Sequence, residues 1–322
     1  MIKNKRSIWE LCPHSDDLKI QTPLKQKGFT VNLIALGDVG ATLLLGLKTL
    51  GSEILDTIGI FDTNENVVAR YEMEMNQIGW PFGTKPLPTV KPVSQDQLFD
   101  CDMLIFCASK AVPPVGSGGD VRMMQLEANS KIAAHYGALA KSANFKGIFA
   151  VVSDPVDPLC KEVLLSSGLL AGQVKGYGLG VMNKRAEYFA SKDDRFSSYF
   201  EDGRAFGPHG GDLVIANSIA NYDESLSMEL TKLTVEANLK VRDLGFKPYL
   251  APAISSGAVS ILLTLTGQWN YSSVYFGKGD KGAFLGIRNR IANDIIEVED
   301  IPLPENLYKR IELAYENLCH LK

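Results

Sequence analysis

Most of what would mark a specialised chain is missing from these 322 residues. Cysteine is scarce: Cys12, Cys101, Cys107, Cys160 and Cys319 are odd in number and show no metal-ligand spacing. That excludes a disulfide scaffold and a zinc module. No apolar run approaches the roughly 18 residues that a membrane helix needs. A basic surplus is also absent, with 33 Lys and Arg against 37 Asp and Glu, a net charge of −4 and a pI near 5.7. A general nucleic-acid binder would normally carry one. There is no internal repeat and no low-complexity tract. What remains is an average globular composition, 45% hydrophobic and 22% charged. At about 150 residues per domain the length suits two domains or one large α/β unit.

The first residues, MIKNKRSIWELCPHSDDLK, are basic at the start but lack the apolar core of a secretory signal. With the cysteine usage, the expectation is a soluble, cytoplasmic protein without membrane or nucleic-acid partners. Cys101 and Cys107 flank an apolar run and read as buried free thiols.

Residues 1–28 are polar and weakly periodic and read as an N-terminal extension. Periodicity then begins abruptly. Phe29 to Leu36 is a β-rich run, Gly37-Asp38-Val39-Gly40 stops it, Ala41 to Leu50 reads as a helix, and Gly51 ends that helix. Ile58 to Asp62 is a second strand, which completes one βαβ unit. Further strands at Met103–Cys107 and Gly147–Val152 bracket a helical stretch from Met123 to Ala143. This alternation predicts an α/β fold with a doubly wound, mostly parallel sheet, a Rossmann-type domain over 29–155. Beyond 155 the pattern changes to helices at Glu224–Leu244, Ser255–Thr266 and Leu307–Leu321, with short strands at Val274–Phe276 and Gly282–Ile287. A second, α+β domain over 156–322 is expected.

A strand–glycine–helix turn can hold a pyrophosphate, because the first helical N–H groups and the helix dipole both favour an anion. The frame Ala35-Leu36-Gly37-Asp38-Val39-Gly40 keeps two of the three fingerprint glycines, with Ala35 at the first position. Asp62 follows at the end of the next strand, where a carboxylate can accept both ribose hydroxyls and repel a 2′-phosphate. The expected cofactor is NAD, held by Gly37, Asp38, Val39, Gly40 and Asp62, with the Asp38 carboxylate pointing outward. The alternative is a purely structural turn.

From about residue 29 onward the chain resembles the lactate/malate dehydrogenase family. Val151-Val152-Ser153-Asp154-Pro155-Val156-Asp157 is similar to the family's V-S-N-P-V-D segment, and Arg122 to Asn129 to its R-x-x-x-x-x-x-N stretch. Gly207-Pro208-His209-Gly210-Gly211-Asp212 resembles G-x-H-G-D with one residue inserted. Pro248 to Ala253 resembles the Y-A-P-A start of a late helix. Gly176 to Arg185 is similar to G-x-G-x-x-L-D-x-x-R. The resemblance implies oxidation of a small 2-hydroxy acid to its 2-oxo acid. It implies His209 as acid/base, Arg185 as carboxylate anchor and Arg122 as a carbonyl-polarising residue on a closing loop. Ser153 and Asp154 would lie beside the nicotinamide. It also implies a homodimer or homotetramer and no metal. The residue types suit that chemistry: histidine titrates near neutrality, and the arginine fork binds both oxygens of a carboxylate.

The likeness breaks at three places. Met182 stands where the family has the aspartate that orients the histidine, and a one-residue shift would bring Asn183 there instead. Neither is an acid. Asp154 replaces the family's asparagine near the histidine and is expected to supply the missing negative charge. Pro248 or Pro252 stands where a pocket threonine is usual. The breaker-rich segment Val112 to Gly119 is about four residues longer than the family's loop and offers neither arginine nor glutamine for substrate reading. The substrate's far end is therefore expected to be apolar or to lack a second carboxylate. The competing reading is a catalytically impaired NAD(H)-binding relative with a regulatory or assembly role. Residues 1–28 read either as an arm onto a neighbouring subunit, anchored by Ile8, Trp9 and Leu11, or as a disordered tail.

Overall fold

A computed structural model describes residues 5–110 and 121–321, less the side chains of 121–124. The apolar runs become β1 (Phe29–Ile34), β2 (Leu55–Phe61), β4 (Met103–Phe106) and β5 (Ile148–Val151). Two shorter strands, β3 (Thr89–Pro92) and β6 (Val174–Gly176), complete a parallel set in the spatial order 3-2-1-4-5-6. That is the doubly wound arrangement, in which ligands bind beyond the strand carboxyl ends where the order reverses. Four helices connect these strands: α1 (Asp38–Leu50), α2 (Glu65–Asn76), α3 (Val121–Ser142) and α4 (Val156–Ser167). The central strands β4 and β5 are buried along their whole length, as a sheet covered on both faces requires.

The parallel set continues past residue 155. It ends only at β6, whose three residues carry a lysine in the middle and so present no apolar run to read. After α5 (Leu179–Ala190), the short pair β7 (Arg204–Phe206) and β8 (Val214–Ala216), α6 (Glu224–Asp243) and α7 (Pro252–Val259, continuing as Ser260–Leu265), the chain returns to the same sheet. β9 (Asn270–Lys278) pairs antiparallel with β6 through Ser273 and Gly176, and β10 (Lys281–Ala292) and β11 (Ile295–Val298) extend the edge. The sheet thus has nine strands. The hairpin is longer than its apolar centre suggests, because tight β9–β10 pairing from Asn270–Asn289 to Lys278–Lys281 draws polar residues into the ladder. A last helix, α8 (Glu305–His320), packs on β10.

Residues 5–20 form neither a free tail nor an arm reaching away. Lys5 and Arg6 pair with Pro304 and Leu303. Ser7 caps the short turn Ile8–Leu11. Ile8, Leu18 and Ile20 are buried, and the Asp16 and Ile20 amides donate to the Gly277 and Asp294 carbonyls at 2.7 and 2.8 Å. Arg6 lies over the Tyr308 ring of α8 at 4.1 Å. The polar composition conceals this because three spaced apolar residues, not a periodic run, supply the anchor. Residues 5–20 are a strap on the chain's own second half. Truncating Ile8 leaves a cavity under that strap, so Ile8→Ala should lower unfolding free energy by about 2–4 kcal/mol in a urea titration. Unchanged stability would show that the strap contributes nothing to the fold.

Candidate active site

The glycine turn leaves β1 at the point where the strand order reverses. Ala35 adopts φ 73°, the left-handed conformation that the missing glycine would take without strain. Gly40 cannot be replaced so easily: a Cβ there would stand 2.0 Å from the Ala35 carbonyl oxygen, so helix and strand meet without room for a side chain. Gly37 faces open space, with nothing within 4 Å of a built Cβ, and no side chain caps the first turn of α1. Uncapped N–H groups beside an open approach fit a pyrophosphate. Asp62 accepts from the Leu36 amide at 2.8 Å and the Asn64 amide at 3.0 Å, which aims its carboxylate along the same strand edge. Asp38 is exposed and pairs with Lys247 at 2.8 Å.

Three further segments converge on the carboxyl end of β5. Ser153 is buried and donates to the Ala108 carbonyl at 2.7 Å, so its hydroxyl braces the loop after β4. Asn129 of α3, also buried, accepts from the Lys110 amide at 2.9 Å and donates to the Asp154 carbonyl at 2.8 Å. This clamp fixes the backbone of Asp154 while its side chain stays exposed. His209 lies in the loop between β7 and β8. That loop is tied to β10 by the Gly207 amide donating to the Gly286 carbonyl at 2.9 Å. Gly178, just before α5, lets the loop approach: a Cβ there would be 2.8 Å from the Cβ of His209. The result is a His209 Nδ1–Asp154 Oδ1 pair at 3.1 Å. The histidine is largely buried and the carboxylate half-exposed.

Arg185 is half-buried on α5. Desolvation pushes its pKa down, opposed by the negative charge of nearby Asp154. Its Nη1 lies 3.4 Å from the sulfur of Met182, which is itself buried in an apolar cluster with Leu179, Val181 and Ala186. Asn183 is engaged elsewhere: its amide nitrogen donates to Glu187 at 2.7 Å and its oxygen accepts from Tyr199 at 2.8 Å. The one-residue shift that would bring Asn183 to the histidine is therefore not realised. The side chain of Arg122 and the segment 112–119 lie outside the described residues, as does any reading of that loop's register. Among the described residues no group of three His, Cys, Asp or Glu gathers as a metal site, and no helix is long and apolar enough to cross a membrane.

No family model matches the chain. Curated relatives do. The L-lactate dehydrogenase of Staphylococcus epidermidis is 26% identical over 329 residues, spanning 92% of this chain and all of its own length. That of Staphylococcus saprophyticus is 29% identical over 298 residues, spanning 86% of this chain and 90% of its own. Two solved structures share the fold. The minor L-lactate dehydrogenase of Enterococcus mundtii superposes with a TM-score of 0.75 at 20% identity, covering 91% of this chain and 97% of its own. The malate dehydrogenase of Picrophilus torridus gives 0.73 at 20% identity, covering 90% and 95%. The chain is thus similar to lactate and malate dehydrogenases over most of its length.

Two buried groups nearby carry no signal as site residues in the sequence. Asp157, in the first turn of α4, is 3% exposed, and one of its oxygens has no hydrogen-bond partner. Burial pushes its pKa up to about 7. Lys175, in the middle of β6, is fully buried with its ammonium 2.6 Å from the Asn289 oxygen. Burial pushes that pKa down to about 7. Cys160 lies near both, and burial raises its thiol pKa. Asp157 sits in a segment already singled out, but only its burial reveals it. Lys175 gives no signal in a three-residue strand.

The two groups bend stability in opposite senses. Below its ordinary range near 10.5 the unfolded lysine keeps its proton, whereas the folded one releases it near 7. Between those values the unfolded state binds more protons, so stability rises with pH. Asp157 does the reverse: from about 4 to 7 the folded state holds the extra proton, and stability falls as pH rises. Lys175→Met should raise unfolding free energy at pH 7 by about 1–3 kcal/mol and flatten the rise between pH 7 and 10. Urea titrations across that range measure both. A variant with the parent's slope would show that Lys175 is not the group responsible.

Proposed function

We propose that this protein is an NAD-dependent oxidoreductase that interconverts a 2-hydroxy acid and its 2-oxo acid. The His209–Asp154 contact carries the reading, because it restores a carboxylate to a histidine whose usual partner position holds Met182. The glycine turn, the uncapped α1 N-terminus and Asp62 fit NAD, and the acid opposes a 2′-phosphate. When bound, the nicotinamide supplies the hydride acceptor.

The protein's own residues handle the proton and the anion. His209 accepts the substrate hydroxyl proton as C2 is oxidised and returns it in the reverse direction. Asp154 orients the ring through Nδ1, leaves Nε2 for substrate, and balances the positive charge that forms on the ring. Asn129 keeps Asp154 in reach of that nitrogen by holding its carbonyl. Arg185 pairs with the substrate carboxylate, and its partial burial strengthens the pairing by excluding water. Arg122, opening α3, is assigned to the substrate carbonyl by the family resemblance. The buried Met182 beside Arg185 favours a second reading, a relative that binds NAD(H) and has lost turnover.

His209→Gln should lower kcat about 100-fold or more, the scale of a lost general acid/base. Asp154→Asn should lower it about tenfold or more while the charge partner of His209 is gone. In both, quenching of NADH fluorescence should match the parent. Absorbance assays with a panel of 2-oxo acids measure turnover. NADH binding without turnover across that panel in the parent would favour the second reading, and an Asp154→Asn variant as fast as the parent would remove Asp154 from the mechanism.

A further inference from the structure

Arg185 is set in the wall of a cleft of about 830 Å³ between α5, α6 and the loop leading to α7. The volume lies within the range that holds drug-sized ligands, about 300–1,000 Å³, and far exceeds the needs of a methyl group. Val181 and Phe189 on α5 face Ala237 and Val241 on α6, and Leu244 and Phe246 close the far end. Leu244 and Phe246 are 74% and 70% exposed, so large apolar side chains stand uncovered around an opening whose inner wall carries a half-buried guanidinium. Among the described residues no carboxylate lines the cleft. Of its lysines, Lys184 pairs with Glu187 and Lys247 with Asp38. Lys240 lies over the Phe189 ring at 4.7 Å. Arg185 and the exposed Lys240 are the lining cations without a carboxylate in contact among the described residues, and of the two only Arg185 is partly buried.

We infer that the substrate is a 2-hydroxy or 2-oxo acid with a large apolar side chain, branched aliphatic or aromatic, that fills this cleft while Arg185 holds its carboxylate. The inference rests on the dehydrogenase reading and narrows it. A methyl side chain would leave the cleft wet and its apolar walls exposed. A second carboxylate would have to compete with Glu187 or Asp38 for an ammonium, or draw the exposed Lys240 away from the Phe189 ring. An apolar side chain covers the walls and orders no new charge. Each methylene placed in such a pocket is worth about tenfold or more in discrimination, and a phenyl or isobutyl group adds several carbons over a methyl.

The test uses the full chain. Oxamate and N-benzyloxamate, unreactive isosteres of a small and a bulky 2-oxo acid, are titrated by calorimetry into protein saturated with NADH. In parallel, kcat/KM with NADH is measured for pyruvate, oxaloacetate, 4-methyl-2-oxopentanoate and phenylpyruvate. N-benzyloxamate should bind at least tenfold more tightly than oxamate, and the bulky acids should exceed pyruvate and oxaloacetate at least tenfold in kcat/KM. Ala237→Phe, which fills the cleft from α6, should cut both ratios by at least tenfold. Equal binding of the two isosteres, or a preference for pyruvate or oxaloacetate, overturns the inference and leaves the dehydrogenase reading intact. Tight binding of N-benzyloxamate with no turnover of any acid supports the cleft and defeats the dehydrogenase reading. NADH binding with neither isostere bound and no acid reduced defeats both.

Discussion

The two halves of the chain are joined in one sheet by a single residue pairing, Ser273 of β9 against Gly176 of β6. Gly176 is forced there, because a Cβ would collide with Val156, Cys160 and Ser273 at 2.6–2.9 Å. This close approach and the packing of α1 on α7, where Gly46 meets Ala258 and Ile254, hold the second half against the first. Once β9 is seated, its partner β10 presents Gly286 to Gly207, and the loop that carries His209 is held against the end of β5. Just past β6, Gly178 admits that loop and α5 begins, which carries Arg185. The strap formed by residues 5–20 covers the outer side of the same half and bonds to the β9–β10 turn and to Asp294.

The junction is also where the molecule tolerates its most costly burials. Asp157, Cys160 and Lys175 surround it without pairing as acid and base, and one Asp157 oxygen is left unsatisfied. A buried carboxyl and a buried amine that both titrate near neutrality reduce stability at that pH. Of the three, Asp157 lies close enough to His209 and Asp154 for their charges to act on it. The loss of an acid at Met182 and the gain of one at Asp154 follow from the same geometry. Met182 points into the apolar cluster under α5, and Asp154 is the carboxylate within reach of Nδ1.

The long apolar runs were legible. β1, β2, β4 and β5, with α1 and α3, follow directly from periodicity, and the glycine turn with Asp62 marks the carboxyl ends of β1 and β2. Elements without an apolar stripe were not. α2 buries only Met75, β3 only Val90, and β6 hides a lysine. The strap was missed because Ile8, Leu18 and Ile20 are spaced too irregularly to mark an element, yet each is buried. In the site, the family resemblance picked out His209, Arg185 and Asp154, but not Asn129's clamp on Asp154 or the brace that occupies Ser153.

Taken alone, the sequence determined the kind of fold and pointed to a kind of ligand. Strand–helix alternation demands a parallel sheet, and a glycine turn followed by an acid suits an anion and a diol near its edge. Both are local requirements, written within a few dozen residues. Tertiary structure decided which groups meet. Asp154 and His209 are 55 positions apart, and the cleft beside Arg185 is made by helices whose separate patterns say nothing of their spacing. Contact between side chains, and space left between them, depend on how elements pack across the chain, and no local pattern records that.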